Sequence, residues 1–156
     1  MPPLSGHLRR HDAWRLAQEV HNAAALLASG RAAICKQVGL TPERWRALAA
    51  IVRSPFVLSV SDLARRLRLS RQSMHRLALG LARAGWIRYL PNSSDRRLLQ
   101  LEITASGKRV LDDAEHRFTT WLTVMTYDLS ERELREMVSA VRCVRERIAR
   151  ARDHAQ

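Results

Sequence analysis

The sequence predicts a mainly α fold with a small β-hairpin (α+β), and three observations between Ser61 and Thr104 carry that expectation. Two short amphipathic runs are separated by a break of about three residues. A glycine closes the second of them. Two runs rich in β-formers then flank a turn-forming basic segment.

Taken in order, Met1 to His11, with two prolines, a glycine and basic residues, reads as a flexible arm. Asp12 is placed to cap a long helix whose apolar positions Leu16, Val20, Ala23 and Leu27 keep a 4,3,4 rhythm. Trp14, Ala24 and Ala28 widen that face, Gly30 weakens the middle and Gly39 closes the helix. Thr41-Pro42-Glu43 starts a second helix by N-cap and first-turn proline, with Trp45, Leu48, Ala49 and Val52 as its buried stripe. Ser54-Pro55 ends it, and Phe56 to Val60 leads through a short strand into the central stretch.

Ser61-Asp62 has the chemistry of a helix start, and Leu63, Ala64 and Leu67 give that helix an apolar face. After Arg68-Leu69, Ser70 caps a further helix on which Met74, Leu77, Ala78 and Leu81 form one stripe at 3,4 spacing. Arg71, Gln72, Ser73, His75 and Arg76 all lie off that stripe. A solvated polar face is the plain reading of any one of them. Together they are hydrogen-bonding groups suited to base edges and phosphates. Arginine pairs bidentately with guanine and glutamine with adenine, each worth about 1–3 kcal/mol of discrimination. Ser70 and Ser73 suit backbone phosphates. Ala84-Gly85 stops the helix, Trp86 to Leu90 favours a strand, and Leu99, Leu101 and Ile103 alternate with Gln100 and Glu102. Between these strands runs Pro91-Asn92-Ser93-Ser94-Asp95-Arg96-Arg97, a turn with two arginines. Helix, turn, helix and a basic-tipped hairpin make a winged helix-turn-helix.

Beyond the hairpin, Thr104 caps a long helix with Leu111, Ala114, Phe118, Trp121 or Leu122, and Met125 at 3,4 spacing. Ser130 and Glu133 form a capping box, preceded by Leu129 as a staple residue. The last helix carries Leu134, Met137, Val141, Val144, Ile148 and Ala151, an unbroken 3,4 seam. Such a seam needs a partner, either the chain's own first helix or a second copy.

The sequence resembles the MarR family of bacterial transcription regulators from about His11 to Arg150. The resemblance rests on Asp95-Arg96-Arg97 (the family's D-x-R), Ala84-Gly85-Trp86-Ile87, Leu101 to Gly107, and Leu40-Thr41-Pro42-Glu43-Arg44-Trp45. It implies a homodimer joined through the terminal helices, so that residues 12–39 and 104–152 form a dimerisation region and 40–103 the DNA-binding region. It implies that Arg97 enters a minor groove; Arg96 is then assigned to phosphate, and Asp95 to orienting a guanidinium. A two-fold dimer would read a pseudo-palindromic operator with half-sites about 10 base pairs apart. The resemblance also implies a small, aromatic or phenolic effector, for which Trp14, Arg15, His21, Trp45 and Trp121 are candidates; core tryptophans and surface polar groups are the alternative.

Charge agrees with a polyanionic partner. The formal net charge is +12. Residues 61–109 hold 11 Lys/Arg against 3 Asp/Glu, so two thirds of the excess lies in under a third of the chain. The two cysteines, Cys35 and Cys143, fit no zinc spacing and are expected as buried thiols. The i,i+4 histidines His7 and His11 fall in the expected arm. No cofactor, metal site or catalytic motif is expected, since no G-x-S-x-G, phosphate-cradling glycine loop or H-E-x-x-H occurs. No apolar run reaches the roughly 18 residues of a membrane span, and a cytoplasmic location is the default. The alternatives to a sequence-specific repressor are an architectural DNA binder of low specificity and a cysteine-based redox-sensing regulator.

Overall fold

The computed structural model describes residues 6–91 and 99–153. The order is α1 (Gly6–Gln37), α2 (Pro42–Val52), β1 (Leu58–Ser59), α3 (Val60–Leu67), α4 (Arg71–Arg83), β2 (Ile87–Pro91), β3 (Leu99–Ile103), α5 (Ala105–Met125) and α6 (Glu131–Asp153). The chain divides into two compact units, Met1–Phe118 and Thr119–Gln156. This is the expected mainly α winged helix-turn-helix with a small antiparallel sheet.

The core of the first unit is built from one side of each element. Leu48 of α2, Leu63 of α3, Met74 and Leu81 of α4, Leu101 of β3 and Leu111 of α5 are all under 2% exposed. Burying each such side chain stabilises the fold by about 1.5–3 kcal/mol. In the sheet, β3 lies between β1 and β2, with Leu58 and Tyr89 both opposite Leu101 and Ile87 opposite Ile103. Leu101 is therefore the inward residue of the central strand. Leu99, expected on the same half-buried face, is exposed at the end of the strand pair, opposite Pro91.

Local chemistry fixes the helix ends. The Thr41 hydroxyl accepts from the Arg44 N–H, and Pro42 opens α2. For α3 the cap is Ser59, not the expected Ser61. The Ser59 hydroxyl accepts from the Asp62 N–H at 3.1 Å, while the Asp62 carboxylate accepts from the Ser59 N–H at 3.0 Å. A carboxylate can return this bond only from the third helical position, which draws Val60 and Ser61 into the helix. The Ser59 bonds, side chain first, hold the Asp62 carboxyl below its ordinary range, and Arg65 adds to the effect.

Three helices end in the same way. Gly39, Arg68 and Gly85 take the left-handed conformation, with φ of 72°, 56° and 70°. The next N–H returns to a carbonyl five residues back: Leu40 to Cys35, Leu69 to Ala64 and Trp86 to Leu81. Two of these positions are glycine; the third, in the helix-turn-helix turn, is an exposed arginine. Since a β-carbon is strained there, Arg68→Gly is expected to raise stability by about 0.5–1 kcal/mol and Arg68→Val to lower it. Urea unfolding of both variants checks this; equal midpoints would contradict it.

The N-terminal helix departs from expectation. It begins at Gly6, so residues 6–11 are helical rather than part of a loose arm, and Asp12 lies inside the helix and caps nothing. No breaker intervenes between Gly6 and Asp12, so the helix continues through the acidic residue. It also runs through Gly30 without interruption. Its apolar stripe is largely uncovered within the chain: Trp14, Leu16, Leu26 and Leu27 are exposed, while Ile34 and Cys35 are buried.

In the second unit, the Ser130–Glu133 capping box forms as expected, with the Glu133 carboxylate accepting from the Ser130 N–H at 2.8 Å. Helix α6 has no buried side chain; Met137, Val141 and Ile148 of its seam are each more than half exposed. Cys143, expected to be buried, is exposed because it lies on this uncovered helix; the Arg147 Nε donates to its sulfur at 3.4 Å. Cys35 is buried as expected, and burial pushes its thiol pKa up. Among the described residues, no helix is long and apolar enough to cross a membrane.

Candidate nucleic-acid interface

Helix α4 has a buried side and an exposed side, the exposed one including Leu79. Met74, Ala78 and Leu81 are buried against the core and Leu77 is half-buried, whereas Arg71, Gln72, Ser73, His75 and Arg76 are all exposed. At about 100° per residue, Gln72 and Arg76 lie directly opposite the buried stripe. Arg71 and His75 fall on one flank of that line and Ser73 on the other. Positions at the centre of the face are those that a groove floor can reach, and flanking positions meet its walls.

The start of the helix is fixed by two serines. The Ser70 hydroxyl accepts from the Ser73 N–H at 3.1 Å and donates to the Ser73 hydroxyl at 2.8 Å. Ser70 thus caps the helix while remaining exposed. Its donation leaves the Ser73 hydroxyl proton to point elsewhere. Arg71 and Arg76 have no carboxylate partner among the described residues, whereas Arg53, Arg65 and Arg117 are paired with Glu115, Asp62 and Asp113. On the hairpin, Arg88 is paired with Glu102, directly across from it in register, and that contact raises the pKa of the guanidinium. Asp95, Arg96 and Arg97 lie outside the described residues.

One cation on α2 lies outside the DNA contacts expected from sequence. The Arg44 guanidinium lies over the Trp86 ring, 5.6 Å from its centroid. It passes so close to α4 that a β-carbon at Gly80 would sit 3.3 Å from its Nη2. An open groove between α2 and the Ser73 flank of α4 is lined by Thr41, Glu43, Arg44, Ser73, Arg76 and Gly80, among others. Trp86 is 42 positions from Arg44, so nothing local links them; the one sequence signal was a glycine in mid-helix, which often marks a close approach.

The candidate effector residues do not share one environment. Trp14, Arg15 and His21 are exposed along α1. Trp45 is only 7% exposed and meets the Phe118 ring edge-on at 5.5 Å, so it serves the core. Arg31, which sequence reasoning passed over, lies 5.9 Å from the Trp45 ring centroid and 5.2 Å from that of Phe118. Trp121 is half-buried on the part of α5 that belongs to the second unit.

Comparisons agree with this geometry. The MarR family model matches residues 38–98, from just after α1 to the residue before β3. The transcriptional activatory protein BadR of Rhodopseudomonas palustris is 38% identical over 74 residues, which are 46% of this chain and 42% of BadR. The match therefore spans less than half of that regulator. Among solved structures, a MarR family protein from Bacillus stearothermophilus has a TM-score of 0.80 at 16% identity, covering 90% of this chain and 97% of that one. A mutant of Staphylococcus aureus MepR bound to an oligodeoxyribonucleotide has a TM-score of 0.64 at 17% identity, covering 85% and 97%. Sequence match, winged-helix fold and exposed polar face on α4 converge, and this chain belongs to the MarR family of transcription regulators.

Proposed function

We propose that the protein is a homodimeric, sequence-specific DNA-binding repressor that reads a pseudo-palindromic operator through α4. The observation that carries this reading is the exposed set centred on Gln72 and Arg76, on a helix whose opposite side is locked into the core. Phosphate binding alone would need only Lys and Arg; glutamine, serine and histidine beside them suit base edges. Arg71, Ser73 and His75 take the flanks of the groove. Arg97 enters the adjoining minor groove, Arg96 meets phosphate and Asp95 orients a guanidinium. Support also comes from the MepR relative, which is bound to an oligodeoxyribonucleotide.

The uncovered stripes on α1 and α6 are covered by a second copy, which sets two α4 helices about one helical turn of DNA apart. A small aromatic acid acting on the dimer releases the operator, with Trp14, Arg15, His21 and Trp121 as its candidate contacts. The name of BadR makes activation the second reading of the output. Operator position relative to the promoter separates the two.

Titration of a fluorescent operator duplex against an unrelated duplex tests the reading. The wild type is expected to prefer the operator by about 10³ or more at physiological salt. Arg76→Ala should cost about 1–3 kcal/mol on the operator, and Arg97→Ala should weaken binding without disturbing the dimer. Equal affinity for both duplexes would leave only an architectural binder.

A further inference from the structure

We propose that the groove between α2 and α4 is a seat for one DNA backbone phosphate, with Arg44 as its principal ligand, beside Arg76 and the Ser73 hydroxyl. This rests on the DNA-binding reading above and adds a contact outside the helix-turn-helix and hairpin residues. Three features of the structure point to it.

The first is preorganisation. The Arg44 guanidinium is stacked over Trp86 and passes against the α4 backbone at Gly80, where the absence of a side chain makes room for it. An arginine held in place loses less side-chain entropy on meeting an anion than a freely rotating one. The second is charge. Among the described residues neither Arg44 nor Arg76 is in an ion pair, although both line this one groove. Two guanidiniums without an ion-pair partner border one space, and an anion entering it is attracted to both. The third is position. Ser73 and Gly80 form the α2-facing flank of the helix, next to the central residue Arg76. When α4 lies along the major groove, that flank meets the bordering backbone rather than the base edges. Glu43 on the groove's lining opposes the anion, and this supplies an independent handle.

The test uses the full-length protein with the operator and an unrelated duplex, measuring affinity across a salt series. Arg44→Gln is expected to weaken binding to both duplexes alike, on the order of tenfold. The slope of log affinity against log salt should fall in magnitude by about 0.9, the loss of one phosphate contact. Arg44→Lys should keep the slope, because counterion release depends on charge rather than on shape. Glu43→Gln, which leaves Arg44 and its stacking untouched, should tighten both duplexes and so reads the groove even if Arg44→Gln fails to fold. An unchanged slope for folded Arg44→Gln, a loss confined to the operator, or unchanged affinity of Glu43→Gln would each overturn the phosphate seat. Wild-type protein that binds neither duplex would overturn the DNA-binding reading instead.

Discussion

Gly107→Ala is expected to destabilise the first unit by about 3 kcal/mol or more, at the upper end of overpacking costs. A β-carbon there would lie 2.0 Å from the Trp86 carbonyl oxygen and 2.8 Å from its carbon, both main-chain atoms. Neither can swing aside as a side-chain tip could. That carbonyl accepts from the Thr104 N–H at 3.0 Å, and the Thr104 hydroxyl donates to the Gly85 carbonyl at 2.7 Å. The same hydroxyl accepts from the Gly107 N–H at 3.0 Å, so one threonine caps α5 and ties it to the turn that follows α4. Making room for a methyl group means lifting the start of α5 and loosening these bonds together. For a chain of this size the loss corresponds to a drop of about 6–12 °C in Tm. Thermal unfolding followed by circular dichroism measures it; a Tm within about 2 °C of wild type would contradict this account of the junction. The run Thr104-Ala105-Ser106-Gly107, prominent in the family resemblance, thus has a steric and a capping reason.

Val141→Glu is expected to abolish the proposed dimer and, with it, most operator affinity. Val141 sits mid-way along the α6 seam and is 59% exposed in the single chain, as are its seam neighbours Met137 at 51% and Ile148 at 57%. Exposed apolar rows of this regularity are unusual on a monomer and mark association surfaces. In a two-fold interface one substitution places two carboxylates in apolar surroundings. Burying an uncompensated charge costs about 3–5 kcal/mol, which raises the dimer dissociation constant by more than about a hundredfold. Operator binding should fall with it, because linked half-sites gain about 10²–10⁴ in avidity over one alone. Sedimentation equilibrium at micromolar concentration is the direct measurement. A variant that remains dimeric, or a wild type that is monomeric, would show that α6 is not the joining surface.

The sequence made local chemistry legible and long-range chemistry much less so. The Thr41 cap, the Pro42 start, the Gly85 stop and the Ser130–Glu133 box each involve groups within a few residues, and each appears where its chemistry placed it. The stripes of α2 and α4 were readable because burial follows helical period; Trp45, Leu48, Met74, Ala78 and Leu81 are all buried. Where two local signals competed, the choice failed. Ser59 and Ser61 could both cap α3, and the reciprocal bond with Asp62 decided for Ser59. Asp12 looked like a cap, yet a helix that finds no breaker keeps going, and α1 starts six residues earlier. Arg44 over Trp86, and Arg31 between Trp45 and Phe118, depend on packing between distant segments and left almost no trace in the sequence. The exposure of Cys143 follows from α6 being uncovered, which period alone does not reveal.

Selection of duplexes from a random pool, run in parallel with wild type, Gln72→Ala and Arg76→Ala, tests the role of α4 most directly. Wild type should enrich an inverted repeat, and each variant should lose its preference at one symmetric position while keeping the half-site spacing. Identical enriched sequences for all three proteins, or none for any, would contradict reading by this helix.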